Sequence, residues 1–158
     1  MYSSEQLANK FIELGISTGN FVTPMKAQKL TYIAHGISLG HSGAGLLDEP
    51  VCAWRYGPVL PSLYHALKHY GGGVITKAVP DSSFFIPSAD IEAYTNSVVK
   101  LVYDTYGRYS GETLSEFTHR NGTPWHQTYA AGKSIIDDQL IASYYQRLMS
   151  KDPSCIGL

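Results

Sequence analysis

Cysteine is almost missing from this chain. Cys52 and Cys155 are the only two, far apart and in unrelated contexts, so no disulfide framework is expected and a reducing cytoplasm is the expected location. Charge of one sign is missing too: 12 Lys and Arg face 13 Asp and Glu, for a formal net charge of -1. Without clustered cations, affinity for nucleic acid or an anionic membrane surface has no source. No stretch reaches the roughly 20 apolar residues of a membrane span. The opening Met1-Tyr2-Ser3-Ser4-Glu5 has neither the basic nor the apolar region of a signal peptide.

Signatures of catalysis are equally scarce. There is no Gly-x-Ser-x-Gly elbow, and Cys52 has no neighbouring histidine to activate it. Gly71-Gly72-Gly73 precedes neither a helix nor a Lys-Ser/Thr pair, so it reads as a helix stop rather than a phosphate loop. Six histidines leave one enzymatic alternative. His65 and His69, four apart on an expected helix, would share one face at metal-chelating spacing, with His35, His41, His119 or His126 as third ligand. The residue after His65 is not Glu, so the metalloprotease pattern is absent.

What the chain does contain is apolar and aromatic. Its 158 residues are 44% hydrophobic with 12 tyrosines, enough for one packed domain over 1–158 with rings left for half-buried positions. Ser3 and Gln6 form a capping box for a first helix closed between Gly15 and Gly19. Thr23 and Pro24 start a second helix running to about Gly40, apolar on several sides through Met25, Leu30, Tyr32, Ile33, Ala34, Ile37 and Leu39. This is the expected central helix, and Gln28 and Lys29 within it need partners. A short strand at 50–54 precedes a helix from about Ser62 to Tyr70. Val74-Ile75 and Phe84-Phe85-Ile86 suggest a small hairpin. Ser88 caps a long helix ending at Gly107, a shorter one spans Thr113 to His119, and Thr123-Pro124 repeats the cap-plus-proline start before Trp125. A last helix runs from Asp137 or Asp138 to about Met149. The fold class is mainly α: a compact single-domain helical fold of about six helices with a minor short-strand element.

The stretch Ala53-Trp54-Arg55-Tyr56-Gly57-Pro58-Val59-Leu60-Pro61 stands out, because two prolines stiffen a bend that carries two large aromatics and a cation. Packing of Trp54 and Trp125 in the core, with His119 at a helix end, is the expected structural role. Trp54→Ala would then cost about 3–5 kcal/mol.

These pieces occur in an order that resembles the SocA-like antitoxin family, the Panacea domain, which includes the phage-associated GepA proteins. The resemblance rests on Met25, Gln28-Lys29-Leu30-x-Tyr32, Ala34-His35-Gly36, Leu47, Ala53-Trp54, Gly57-Pro58-Val59, Leu63-Tyr64 and Tyr70-Gly71. It continues through Tyr106-Gly107, Leu114, Thr118-His119, Pro124-Trp125 and Tyr144-Tyr145, covering roughly residues 5 to 148. It implies a non-enzymatic antitoxin, found in bacteria, phages and mobile elements, that binds and neutralises a protein toxin encoded by an adjacent gene. One branch of the family instead delivers its toxin to an ATP-dependent protease. No catalytic residue, cofactor or metal is implied. The chain is expected to consist of the domain alone, without an added DNA-binding helix-turn-helix or a toxin-wrapping tail. Within this frame Gln28, Lys29, Tyr32, Trp54, Gly57, Pro58, His119, Pro124 and Trp125 are expected to hold the fold. Arg55, Tyr56, Tyr64, Tyr70, Phe84 and Phe85 are the expected partner-binding residues, since interfaces favour aromatic and arginine anchors.

Overall fold

The computed structural model describes residues 1–151; Cys155 lies outside them. Helix α1 (Ser4–Thr18) opens with the capping box, Ser3 Oγ accepting from the Gln6 N–H while the Gln6 side chain accepts from the Ser3 N–H, and ends at left-handed Gly19. Helix α2 (Pro24–Ser42) starts at Thr23, whose hydroxyl accepts the Lys26 N–H, and runs two residues past Gly40 to a left-handed Gly43. Strands β1 (Cys52–Trp54) and β2 (Gly57–Val59) form an antiparallel hairpin. Helix α3 (Pro61–Leu67) tightens into a 3-10 turn at Lys68–Tyr70. Helices α4 (Ala89–Tyr106), α5 (Gly111–His119), α6 (Pro124–Ala130) and α7 (Asp138–Lys151) complete the described chain. None is long and apolar enough to cross a membrane.

Every residue of α2 from Lys26 to Leu39 is buried. A helix buried on all sides must be wrapped, and α2 packs against α1, α4, α5 and α7. The α2–α7 approach is tight. A Cβ on Gly36 would fall 2.2 Å from the Tyr145 ring, and one on Gly40 would fall 2.7 Å from the Gln146 backbone nitrogen. Tyr32 meets Tyr145 edge-on at 6.0 Å in this seam, and burial raises both phenols well above their ordinary range. In the second half of α2, His35 Nδ1 accepts the Leu46 and Leu47 N–H groups. That fixes the proton on Nε2, which donates to Asp138 at 3.3 Å. This bond holds the Asp138 carboxyl below the usual range.

The hairpin expected between Val74-Ile75 and Phe84-Phe85-Ile86 does not form. The chain there is extended but pinned one residue at a time: Ile75 N–H to the Val22 carbonyl, Val79 N–H and carbonyl to the Asn9 amide, and the Phe85 carbonyl to Gln6. Its backbone groups find partners on α1 and at Val22 instead of on each other. The real hairpin lies at 52–59, and its outer edge is covered by residues 134–136 through Ala53 N–H to the Ser134 carbonyl and Ile136 N–H to the Val51 carbonyl.

Candidate functional site

The hairpin leaves a short segment whose backbone carbonyls face the helices. Four alternate carbonyls, at residues 54, 56, 58 and 60, each accept a side-chain hydrogen bond. Trp125 Nε1 of α6 donates to Trp54 O at 2.6 Å, and Ser115 Oγ of α5 donates to Tyr56 O at 2.8 Å. From α2, Lys29 Nζ donates to Pro58 O at 2.8 Å and Gln28 Nε2 to Leu60 O at 2.9 Å. The Gln28 carbonyl also takes the Leu60 N–H at 3.0 Å, so one amide satisfies both backbone groups of that residue. A chain segment with no second strand beyond it would otherwise bury these groups unpaired.

Tight packing on one side of the hairpin demands Gly57. Its φ is +114°, and a Cβ there would lie 2.9 Å from Lys29 Nζ and 3.6 Å from His119 Cβ. Lys29 is 2% exposed and has no carboxylate beside it among the described residues. Burial therefore lowers its pKa to about 7. His119 Nδ1 donates to the Ser115 carbonyl, and its ring meets Trp125 edge-on at 5.4 Å. Trp125, 7% exposed, stacks on Tyr129 at 4.7 Å.

Because the carbonyls turn inward, the side chains of the two-residue turn point away. Trp54, Arg55 and Tyr56 are exposed, Tyr56 by 64%. They form one wall of a cleft of about 510 Å³ whose other walls are Pro24, Met25 and Gln28 of α2 and Tyr64, Leu67 and Lys68 of α3 and its 3-10 turn, with Lys29, Val59 and Gly71 also contributing. Trp54 meets Tyr64 edge-on at 5.0 Å, and the Arg55 guanidinium lies 5.4 Å from the Tyr56 ring centre.

The structure thus brings Arg55, Tyr56 and Tyr64 together. Tyr70 is half-buried beside the cleft, its ring tilted against His69 at 4.3 Å. Phe84 and Phe85 belong elsewhere. Phe85 packs on Tyr2, just before α1, Phe84 is 98% exposed, and neither lines the cleft. Gln28, Lys29, Gly57, Pro58, His119, Pro124 and Trp125 are buried or half-buried around the hairpin, and Tyr32 lies in the α2–α7 seam.

Trp54 departs from its expected place in the core. It is 37% exposed, because strand side chains alternate and its neighbour Ala53 takes the inward position. Its carbonyl is held by Trp125, while its ring meets only Tyr64 at the edge of the cleft among the described residues. The paired histidines also part company: α3 ends at Leu67, so His65 and His69 are not on one regular helical face. No group of three metal-capable side chains gathers among the described residues. The role of Ser115 escaped sequence reasoning, since a lone serine in a helix carries no signal of which distant carbonyl it will meet.

Residues 28–126 match the protein family described as antitoxin SocA-like, Panacea domain. That stretch begins at Gln28 and ends one residue past Trp125, enclosing every side chain that holds the hairpin carbonyls. The chain is also similar to Antitoxin SocA of Caulobacter vibrioides (strain NA1000 / CB15N), 27% identical over 124 residues. The similarity covers 75% of this chain and 66% of that relative, slightly under two-thirds of the relative's length. No solved structure matches.

Proposed function

Since the chain belongs to the SocA-like antitoxin family with the Panacea domain, we propose that it binds and neutralises a protein toxin encoded by an adjacent gene, in the cytoplasm and without catalysis. The toxin is bound through the cleft rimmed by Trp54, Arg55, Tyr56 and Tyr64. The observation that carries this reading is the set of four clamped carbonyls behind that rim. A clamped turn presents its side chains already ordered, so binding gives up little backbone entropy. The three aromatics and one arginine of that rim are also of the residue types that dominate interface energetics.

The test is co-expression of the neighbouring gene with and without this protein. The reading predicts that the neighbour arrests growth alone and that this chain restores it. A neighbour harmless on its own removes the basis for the proposal. The same experiment separates simple sequestration from delivery to an ATP-dependent protease: the toxin's level stays constant in the first case and falls in the second.

A further inference from the structure

The charge around the cleft is one-sided. Lys29, Arg55 and Lys68 all contribute to its lining, and no Asp or Glu does. None of these three cations forms an ion pair among the described residues, whose ion pairs are Lys10–Glu92, His35–Asp138 and Lys100–Asp104. Among the described residues Arg55 has only its own neighbour's ring, and Lys29 only the Pro58 carbonyl. Apart from Gln28, whose amide is taken up by Leu60, the remaining wall is apolar and aromatic, and a volume of about 510 Å³ accepts one aromatic side chain with its adjoining backbone. An unpaired cationic rim around an aromatic floor is complementary to one kind of guest. We propose that the cleft takes an extended segment of the protein partner in which an aromatic side chain lies beside a carboxylate, the ring packing against Trp54 and Tyr64 and the carboxylate meeting Arg55 and Lys68 above Lys29.

This assignment rests on the cleft being the partner-binding surface, and it adds the chemistry of what enters. A single acid at the cleft would pair with cations that have no other acidic partner among the described residues. A basic or neutral segment would leave them facing each other. Exposed Arg55 and Lys68 make the first contact, and the buried Lys29, about half protonated near pH 7, adds a partial positive field from below.

The probe is a phage-displayed random heptapeptide library panned against the full chain, followed by titration of the selected peptides as free, end-capped synthetics. Selected sequences are expected to carry Phe, Tyr or Trp within two positions of Asp or Glu. Replacing that acid by its amide should weaken binding by about tenfold or more, and so should the doubly substituted protein R55Q/K68Q. Both replaced side chains are exposed, so its melting temperature should equal that of the parent. Lys29→Met provides a second variant, read only if it melts cooperatively, and it should weaken the same peptides. No enrichment, enrichment of basic or acid-free peptides, or equal binding to R55Q/K68Q would overturn the proposal. So would concentration-dependent dimerisation abolished by R55Q/K68Q, which would give the cleft to a second copy of this chain. Growth rescue by co-expression does not depend on the guest's chemistry, so failure here and failure of the antitoxin role are read separately.

Discussion

The two tryptophans of the site divide the work between side chain and backbone. Trp125 buries its indole and donates to the Trp54 carbonyl, while Trp54 offers that carbonyl and leaves its own ring in the cleft. Trp125→Ala should therefore cost about 3–5 kcal/mol, whereas Trp54→Ala should cost only about 1 kcal/mol, the edge-on contact with Tyr64. Chemical denaturation of the two variants checks the ranking, and equal losses would place Trp54 back in the core. Lys29 makes a second residue-scale prediction. Its folded pKa is about 7 against about 10.4 in the unfolded chain. Between those values the unfolded state holds the extra proton, so stability should rise with pH, by up to about 1.4 kcal/mol per unit. Below pH 7 both states are protonated and the full burial cost is present. The raised phenols of Tyr2, Tyr32 and Tyr145 act in the opposite sense near pH 10, and the raised Cys52 thiol does so from about pH 8.5, so the window to measure lies between pH 7 and that point. The rise should shrink strongly in Lys29→Met, leaving the contribution of Lys26, whose pKa burial also lowers, and a wild-type curve that is flat or falling there would contradict the burial of an unpaired lysine.

Among elements, the hairpin depends on helices rather than on further strands. Gln28→Leu keeps the volume of the side chain but strands the Leu60 N–H and carbonyl, so it should destabilise by about 2–5 kcal/mol. Urea unfolding measures this, and a loss below 1 kcal/mol would mean that water replaces the amide. Ser115→Ala removes one bond to Tyr56 O and should cost about 1 kcal/mol by the same assay. How far such elements could be read from sequence follows from where their signals lie. Helix starts at Ser3, Thr23, Ser88 and Thr123 were legible because a cap acts on the N–H groups two or three residues ahead. The burial of α2 was legible from apolar residues on every side, and with it the need of Gln28 and Lys29 for partners. Strand β2 was not, because Pro58 at its centre lacks an N–H and reads as a bend; as one strand of a two-stranded ladder opposite Ala53 it can be accommodated. The segment 74–88 misled for the opposite reason, its apolar residues being met singly by α1 and Val22. Trp54's exposure turns on strand register, which composition does not encode.

At the scale of the whole molecule, the family match and the hairpin clamp cover the same part of the chain, residues 28–126. Helices α1 and α7 lie outside it and complete the packing around α2. On the proposed reading this core scaffold positions three side chains, Trp54, Arg55 and Tyr56, for a partner, and of these only Trp54, through its edge-on contact with Tyr64, adds appreciably to stability. Binding and folding should then be separable at this turn. The most direct measurement pairs growth rescue with thermal melting for the double variant Arg55→Ala/Tyr56→Ala, co-expressed with the toxin of the adjacent gene. The account predicts a melting temperature equal to wild type within error and rescue lost. Rescue retained at an unchanged melting temperature would place the toxin on another surface, and rescue lost only together with the fold would make the turn structural.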